Sequence, residues 1–418
     1  MKLLVYSHDA FGLGNIRRML AICQYLLKAF SGVSILVVSG SPALHSLRLP
    51  SGLDYIKLPC LGRDSDGEMG VKYLGTKIED AVQLRSDLIL TAVKRFQPDL
   101  ILVDKKPDGL ESELRSTLKY LKLNCPNTKL VLLLRDILDR PDVTIAQWQQ
   151  KGYYKILEAL YDQIWVVGTP DIFDVRKAYQ FSTALSQKVR FCGYIQRETG
   201  QRSRTTVRRA LRVQPFEKLV VVTPGGGADG YQLVQTYLDS LALMPTNMAI
   251  KSLIITGPEM ADEQRYGIQQ QVAANPQVGF LEFTDDLVSY LKAADLVVSM
   301  AGYNTIGEIL TLRKRAIVVP RLKPVEEQWI RAERMAELGL FQAIHPDQLT
   351  PQKLQQSVWR ELQAKSDQIP PTAQIDMQAL PRIAHYLSLL VNPHPRAVRT
   401  RLPQPPTWYA QITQPMPT

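Results

Sequence analysis

Strand-length apolar runs separated by longer amphipathic stretches constrain this chain more than any other feature. The first cycle reads Leu3 to Tyr6, a helical pattern from Asn15 to Phe30, then Val33 to Val38. Apolar runs of this kind suit strands covered on both faces, and the helical stretch between them supplies the crossover that parallel strands require. The rhythm continues at Leu100 to Val103, Leu130 to Leu134 and Gln163 to Val167, and closes near Val189 to Tyr194. It starts afresh at Lys218, with strands expected at Leu219 to Thr223, Ser252 to Thr256, Val278 to Phe283, Leu296 to Ser299 and Ala316 to Val319. The expected class is α/β, with two Rossmann-like, doubly wound parallel sheets.

A chain of 418 residues exceeds what a single core supports, since cores stop growing at about 250 to 300 residues. Two domains follow, over residues 1–195 and 196–375, with the basic run Arg202, Arg204, Arg208, Arg209 and Arg212 separating the first domain from the fresh start at Lys218. A helix over residues 376–391 is expected, placed to cross back to the first domain, and residues 392–418 read as a Pro-rich extended tail. The opening apolar run is too short for a signal peptide, and no segment offers 18 uninterrupted apolar residues, so a cytoplasmic protein is expected. Cys23, Cys60, Cys125 and Cys192 are far apart and read as reduced core thiols, with no metal-ligand spacing among them. The net charge of +10 suits nucleic acid, anionic lipid or a phosphorylated substrate. Without basic stretches interleaved with aromatics, nucleic acid is the least supported.

Several motifs fall at strand ends, where open α/β sheets place their ligands. After the first strand, Gly12 and Gly14 allow a sharp turn into a helix beginning near Asn15, but the third glycine of the dinucleotide fingerprint is missing. His8 and Asp9 lie in the same loop and serve equally as general bases or as loop caps. In the second half, Gly225, Gly226 and Gly227 follow a strand and lead into a helix, a setting that suits phosphate oxygens. Phe283 and Thr284 end another strand, and Thr284, Asp285 and Asp286 are natural helix caps. The run Met300-Ala-Gly-Tyr-Asn-Thr-Ile-Gly-Glu308 sets a helix N-terminus with a carboxylate one turn inside it. Glu308 there either accepts two ribose hydroxyls or merely complements the helix dipole. On the first-domain side, Asp104, Lys105, Lys106, Asp108, Glu111, Glu113, Arg135 and Asp136 stand at or beyond strand ends. They are acceptor-side candidates or ordinary caps and solvated charges.

Taken together, Gly225-Gly-Gly-Ala228, Phe283-Thr-Asp-Asp286, Ala301-Gly-Tyr-Asn-Thr-Ile-Gly-Glu308 and Pro320, Glu327, Gln328, Arg331 and Ala332 resemble the donor half of MurG-like glycosyltransferases, the glycosyltransferase family 28 C-terminal type. The resemblance is specific over residues 219–340 and loose over residues 1–195. It implies the GT-B fold and an inverting transfer from a UDP-sugar, N-acetylglucosamine or a related hexose, to a lipid-linked or glycan acceptor. No metal or other cofactor is implied, and the implied address is peripheral, at the inner face of the plasma membrane. By position, the backbone of Phe283 and Thr284 would hold the uracil and Glu308 the ribose. Gly302, Tyr303, Asn304 and Thr305 would face the diphosphate with Arg197 nearby, and Gln328 with Glu327 would bind sugar hydroxyls. One departure stands out: the family's Gly-His pair is Gly14-Asn15 here, so a base must come from His8 or Asp9, or be dispensed with. The alternatives are an epimerase of the UDP-N-acetylglucosamine 2-epimerase type, on the same fold, and a nucleotide-sugar binding protein without catalysis.

Overall fold

A computed structural model describes residues 1–8, 14–42, 49–63, 69–198, 200–245, 248–364 and 375–391. The first half contains β1 (Lys2–Ser7), β2 (Ser34–Ser39), β3 (Leu53–Lys57), β4 (Leu61–Arg63), β5 (Met69–Val71), β6 (Leu100–Asp104), β7 (Lys129–Arg135), β8 (Gln163–Val167) and β9 (Val189–Phe191). The second contains β10 (Lys218–Thr223), β11 (Ile250–Ile255), β12 (Val278–Leu281), β13 (Leu296–Ser299), β14 (Ala316–Val318) and β15 (Gln342–Ala343). Seven strands form one parallel sheet in the order β3-β2-β1-β6-β7-β8-β9, and six form another in the order β12-β11-β10-β13-β14-β15. The central strands β1, β6, β7, β8, β10 and β13 are almost wholly buried, as their unbroken apolar runs require.

Each sheet reverses its winding once, between β1 and β6 in the first and between β10 and β13 in the second. The carboxyl ends at those two points carry His8 and Lys105 on one side, and the Gly225–Gly227 turn and Gly302 on the other. Two expectations shift in detail. β12 ends at Leu281, so Phe283 lies beyond the strand and is exposed rather than part of the sheet. The Arg202–Arg212 run is not a solvated separator: Arg204–Ala210 is helical, and Arg204 and Arg208 reach the Asp295 carboxylate at 2.6 and 2.8 Å.

A polar seam fastens the two halves across their facing edges. Arg331, on the Glu327–Glu337 helix, donates from Nε and Nη2 to the two carboxylate oxygens of Asp136 at 2.8 Å each, and neither side chain is exposed. Tyr194 donates to the same carboxylate at 2.9 Å. Arg135 meets Glu327 at 2.9 Å, and Tyr303 donates its hydroxyl to the Val167 carbonyl at 3.0 Å. The Tyr303 ring lies between the Arg18 and Arg331 guanidinium groups, at 5.8 and 5.5 Å, and against the Tyr194 ring. The Ala379–Val391 helix packs on the Gly14–Ala29 helix of the first half, and Arg382 on it donates to the Cys192 carbonyl and pairs with Asp376.

Removing one member of a buried ion pair strands the other without its water or its partner, at a cost of about 3 to 5 kcal/mol. Arg331→Met is therefore expected to lower the urea midpoint by an amount equivalent to that cost, and adding Asp136→Leu should recover much of it. An unchanged midpoint in the single variant would show that the seam does not hold the halves together.

Candidate functional site

The Gly225–Gly227 turn is built against its neighbour before it is available to any ligand. Gly225 and Gly227 have φ of 87° and 101°, and a Cβ on Gly227 would lie 2.3 Å from the Thr256 carbonyl oxygen. Glu259 donates its amide to the Gly226 carbonyl at 2.8 Å. Glycine is thus demanded here by close packing on the loop after β11, and the turn lies beside Thr305, whose hydroxyl would be 3.7 Å from a Cβ on Gly225.

The Tyr303–Leu312 helix starts at Gly302, which offers no side chain to cap it and has nothing within 4 Å of where its Cβ would be. No side chain among the described residues caps this first turn, and the positive end of the helix dipole lies there. Arg197 flanks this start: its guanidinium donates to Asn304 Oδ1, and its backbone amide donates to Thr311 at 3.1 Å. Arg197 is largely buried and Nε has no partner among the described residues. Burial lowers its affinity for a proton, against the charge of Glu308, which raises it.

Glu308 stands on the same helix, five residues beyond its first. Its Oε2 is buried and has no hydrogen-bond partner among the described residues. Burial pushes its carboxyl up to about 7, against the opposing pull of Arg197 and of Arg17 from the first-half helix. A carboxylate whose only compensation is two nearby guanidinium groups is poised to accept hydroxyl donors from a ligand.

Gln201, Arg202, Phe283, Thr284, Asp285, Asp286 and Tyr290 line an open cavity of about 570 Å³ at the outer end of the same sheet. Thr284 accepts from the Asp286 amide at 3.1 Å and so caps the turn. Gln328 is buried and accepts from the Arg321 amide at 3.3 Å. It stands on the Glu327–Glu337 helix, next to the cleft, but Glu327 itself is turned to Arg135. Burial raises the Glu327 carboxyl, yet Arg135, Arg331, Lys105 and Arg321 together hold it below its usual range. Expected as a sugar ligand, Glu327 is instead committed to the interdomain seam.

Several first-half expectations are corrected in the same way. Asp136 has both oxygens taken by Arg331 and Tyr194, so it has no face for an acceptor. Arg135 is paired across the seam. Asp104 is fully buried and receives Arg18 at 2.6 Å, although its Oδ2 has no partner among the described residues. Glu113 is bound by Tyr6 and Arg85 at 2.6 and 2.5 Å. Asn15 donates its side-chain amide to the His8 carbonyl at 2.8 Å, which fixes the loop and leaves no base function. His8 is buried with Nδ1 unpartnered among the described residues, and burial together with Lys105, Lys106, Arg135 and Arg85 holds its pKa well below the ordinary histidine value. Gly14 is the first residue of its helix, whereas Asp9, Gly12 and residues 392–418 lie outside the described residues.

Sequence reading missed the seam's own residues, Arg331, Tyr194 and the Tyr303 hydroxyl, and the approach of Arg17 to Glu308. A pairing such as Asp136 with Arg331 spans 195 residues, and no local spacing announces it.

Residues 219–387 match the glycosyltransferase family 28 C-terminal domain. An uncharacterised glycosyltransferase of Methanopyrus kandleri is 25% identical over 44% of this chain and 49% of its own length. The UDP-N-acetylglucosamine–N-acetylmuramyl-(pentapeptide) pyrophosphoryl-undecaprenol N-acetylglucosamine transferase of Clostridioides difficile is 27% identical over 44% of each chain. The chain thus spans about half the length of these curated relatives. Among solved structures, MurG of Acinetobacter baumannii superimposes with a TM-score of 0.59 over 93% of this chain and 99% of that one, at 13% identity, a likeness of fold. With its two facing parallel sheets, the chain has the GT-B fold, and residues 219–387 match the glycosyltransferase family 28 C-terminal domain.

Proposed function

We propose that the protein is an inverting, metal-independent glycosyltransferase that moves N-acetylglucosamine or a related hexose from its UDP-sugar to a lipid-linked or glycan acceptor. The observation that carries this reading is the buried, unpartnered Glu308 Oε2 beside the uncapped start of the Tyr303–Leu312 helix. One carboxylate set back from an uncapped helix start suits a ribose next to a diphosphate. The helix start and Arg197 would meet the charge that grows on the departing UDP, fixed dipoles and a cation being most effective in a site that excludes water. The cavity at Phe283 and Thr284 would take the base, and Gln328 beside the cleft would meet the sugar. An acceptor hydroxyl arriving from the first half would attack the anomeric carbon opposite the leaving diphosphate, which inverts it. A positively charged chain fits work at the inner face of a membrane, and no helix among the described residues is long and apolar enough to cross one.

Calorimetry with UDP, ADP and NAD tests the donor directly. UDP should bind and the other two should not; binding of NAD without UDP would refute the reading. Hydrogen bonds to a charged group contribute about 1.5 to 3 kcal/mol each, so Glu308→Gln should weaken UDP by about ten- to a hundredfold.

The same substitution has an opposite effect on the empty protein. Glu308 has a folded-state pKa raised from 4.5 to about 7, so its neutral form is favoured by folding. The associated stability is complete below about pH 4.5 and is lost as the pH rises through 7, by at most about 3 kcal/mol. Without UDP, Glu308→Gln should therefore raise the melting temperature at pH 8 and leave it nearly unchanged at pH 4.5. Equal shifts at both pH values would contradict the burial of an uncompensated carboxyl.

A further inference from the structure

Asn15 is spent on the His8 carbonyl, and His8 sits in a field of cations that makes it a poor proton acceptor. The group that faces the cleft from the next strand is Lys105. It follows β6 directly, at the point where the first sheet reverses its winding, in the left-handed region at φ 69°. Non-glycine residues are rarely held there except where the surroundings over-determine them. The loop it opens is held from several sides. Gly109, Glu111 and Ser112 also have positive φ, and Tyr161 donates to the Pro107 carbonyl at 2.6 Å. Ser112 donates to Asp108 at 2.8 Å, and the Leu110 amide donates to Tyr6, which itself donates to Glu113, held in turn by Arg85.

Such a scaffold aims one side chain rather than merely turning the chain. Lys105 is partly buried, and its ammonium makes no hydrogen bond or ion pair with any described residue. Around it stand Arg135 from β7, Glu327 from the second half, and Lys106 and Asp104 on its own strand end. Glu327 is held by Arg135, and Asp104 by Arg18, so neither is a dedicated counter-ion. Glu327 also places Lys105 opposite the helix that carries Gln328, where the sugar would lie under the proposed function, on which this inference rests.

We propose that Lys105 is the catalytic base that takes the proton from the acceptor hydroxyl. The free amine accepts that proton as the hydroxyl oxygen bonds to the anomeric carbon. The bond from that carbon to the β-phosphate oxygen breaks, and its electron pair leaves with UDP. The ammonium then returns its proton to solvent. Burial, followed by the charge of Arg135, pulls the Lys105 amine down to about 8, against the opposing effect of Glu327 and Asp104. A useful fraction is therefore unprotonated near neutral pH, as a general base requires.

The test follows UDP release from UDP-N-acetylglucosamine, with water as acceptor, in the full chain. General-base help is worth about a hundred- to ten-thousandfold, so Lys105→Ala should lose at least about a hundredfold in kcat. Its UDP affinity by calorimetry should stay within about twofold, which shows that the variant is folded. The wild type should show a rising limb near pH 8 that Lys105→Ala lacks, and added methylamine should restore part of the variant's rate. Lys105→Arg, charged at every working pH, should be as slow as alanine. An active Lys105→Arg, or a rising limb that survives in Lys105→Ala, would overturn the proposal, because a fixed cation would then suffice. If UDP binds but water is not used, competitive acetylation read by mass spectrometry titrates the amine itself. A midpoint near 8 supports the base, and a midpoint shared with surface lysines overturns it. Absence of UDP binding would instead sink the donor reading, an outcome separate from either of these.

Discussion

The bidentate pair between Arg331 and Asp136 is the contact on which the rest of the molecule depends. It joins the carboxyl end of the first sheet to the Glu327–Glu337 helix of the second half, and neither partner reaches water. A buried pair of this kind adds little net stability over an apolar contact, because desolvating two ions offsets most of their attraction. Its contribution is geometric. Tyr194, Tyr303, Arg135 and Glu327 all take their positions from it, and so does the separation between the two sheet edges that bound the cleft.

Within that frame the polar groups divide into two kinds. Asp136 and Glu113 are satisfied by other parts of the protein, and Arg135 pairs with Glu327 across the seam, although Arg135 Nε and Glu327 Oε2 have no hydrogen-bond partner among the described residues. Glu308 Oε2, His8 Nδ1 and Asp104 Oδ2 are buried without partners among the described residues, and the start of the Tyr303–Leu312 helix is uncapped. Leaving such groups unpaired costs about 1 to 3 kcal/mol each, a cost that a ligand with complementary groups removes. The unsatisfied set lies on both sides of the cleft, at the two points where the sheets change direction. Stability given up there becomes binding energy when the site fills.

Most of the fold was legible in the sequence because buried parallel strands leave long apolar runs, and β1, β6, β7, β8, β10 and β13 fall where those runs were read. β3, β4, β5 and β15 were missed: β3 and β15 lie at sheet edges, where half-exposure dilutes the pattern, and β4 and β5 form a separate three-residue pair. The helix start at Gly302 was legible for a similar reason, since it lies three residues beyond a strand end, and Glu308 is the first carboxylate inside that helix. Asp136 and Glu327 were misread as ligand contacts because an acid at a strand end or in a first turn looks the same whether it awaits a substrate or a distant arginine. Only the folded chain, which brings Arg331 and Arg135 to them, tells the two apart.

The central claim is that the unpaired carboxylate and the open helix start form one nucleotide-sugar site, and a crystal structure of the protein with UDP tests it most directly. The account predicts ribose hydroxyls within hydrogen-bond distance of Glu308, the diphosphate against the Gly302 to Thr305 amides, and the base in the cavity beside Phe283. UDP bound elsewhere, or bound at this cleft with Glu308 untouched, would contradict it.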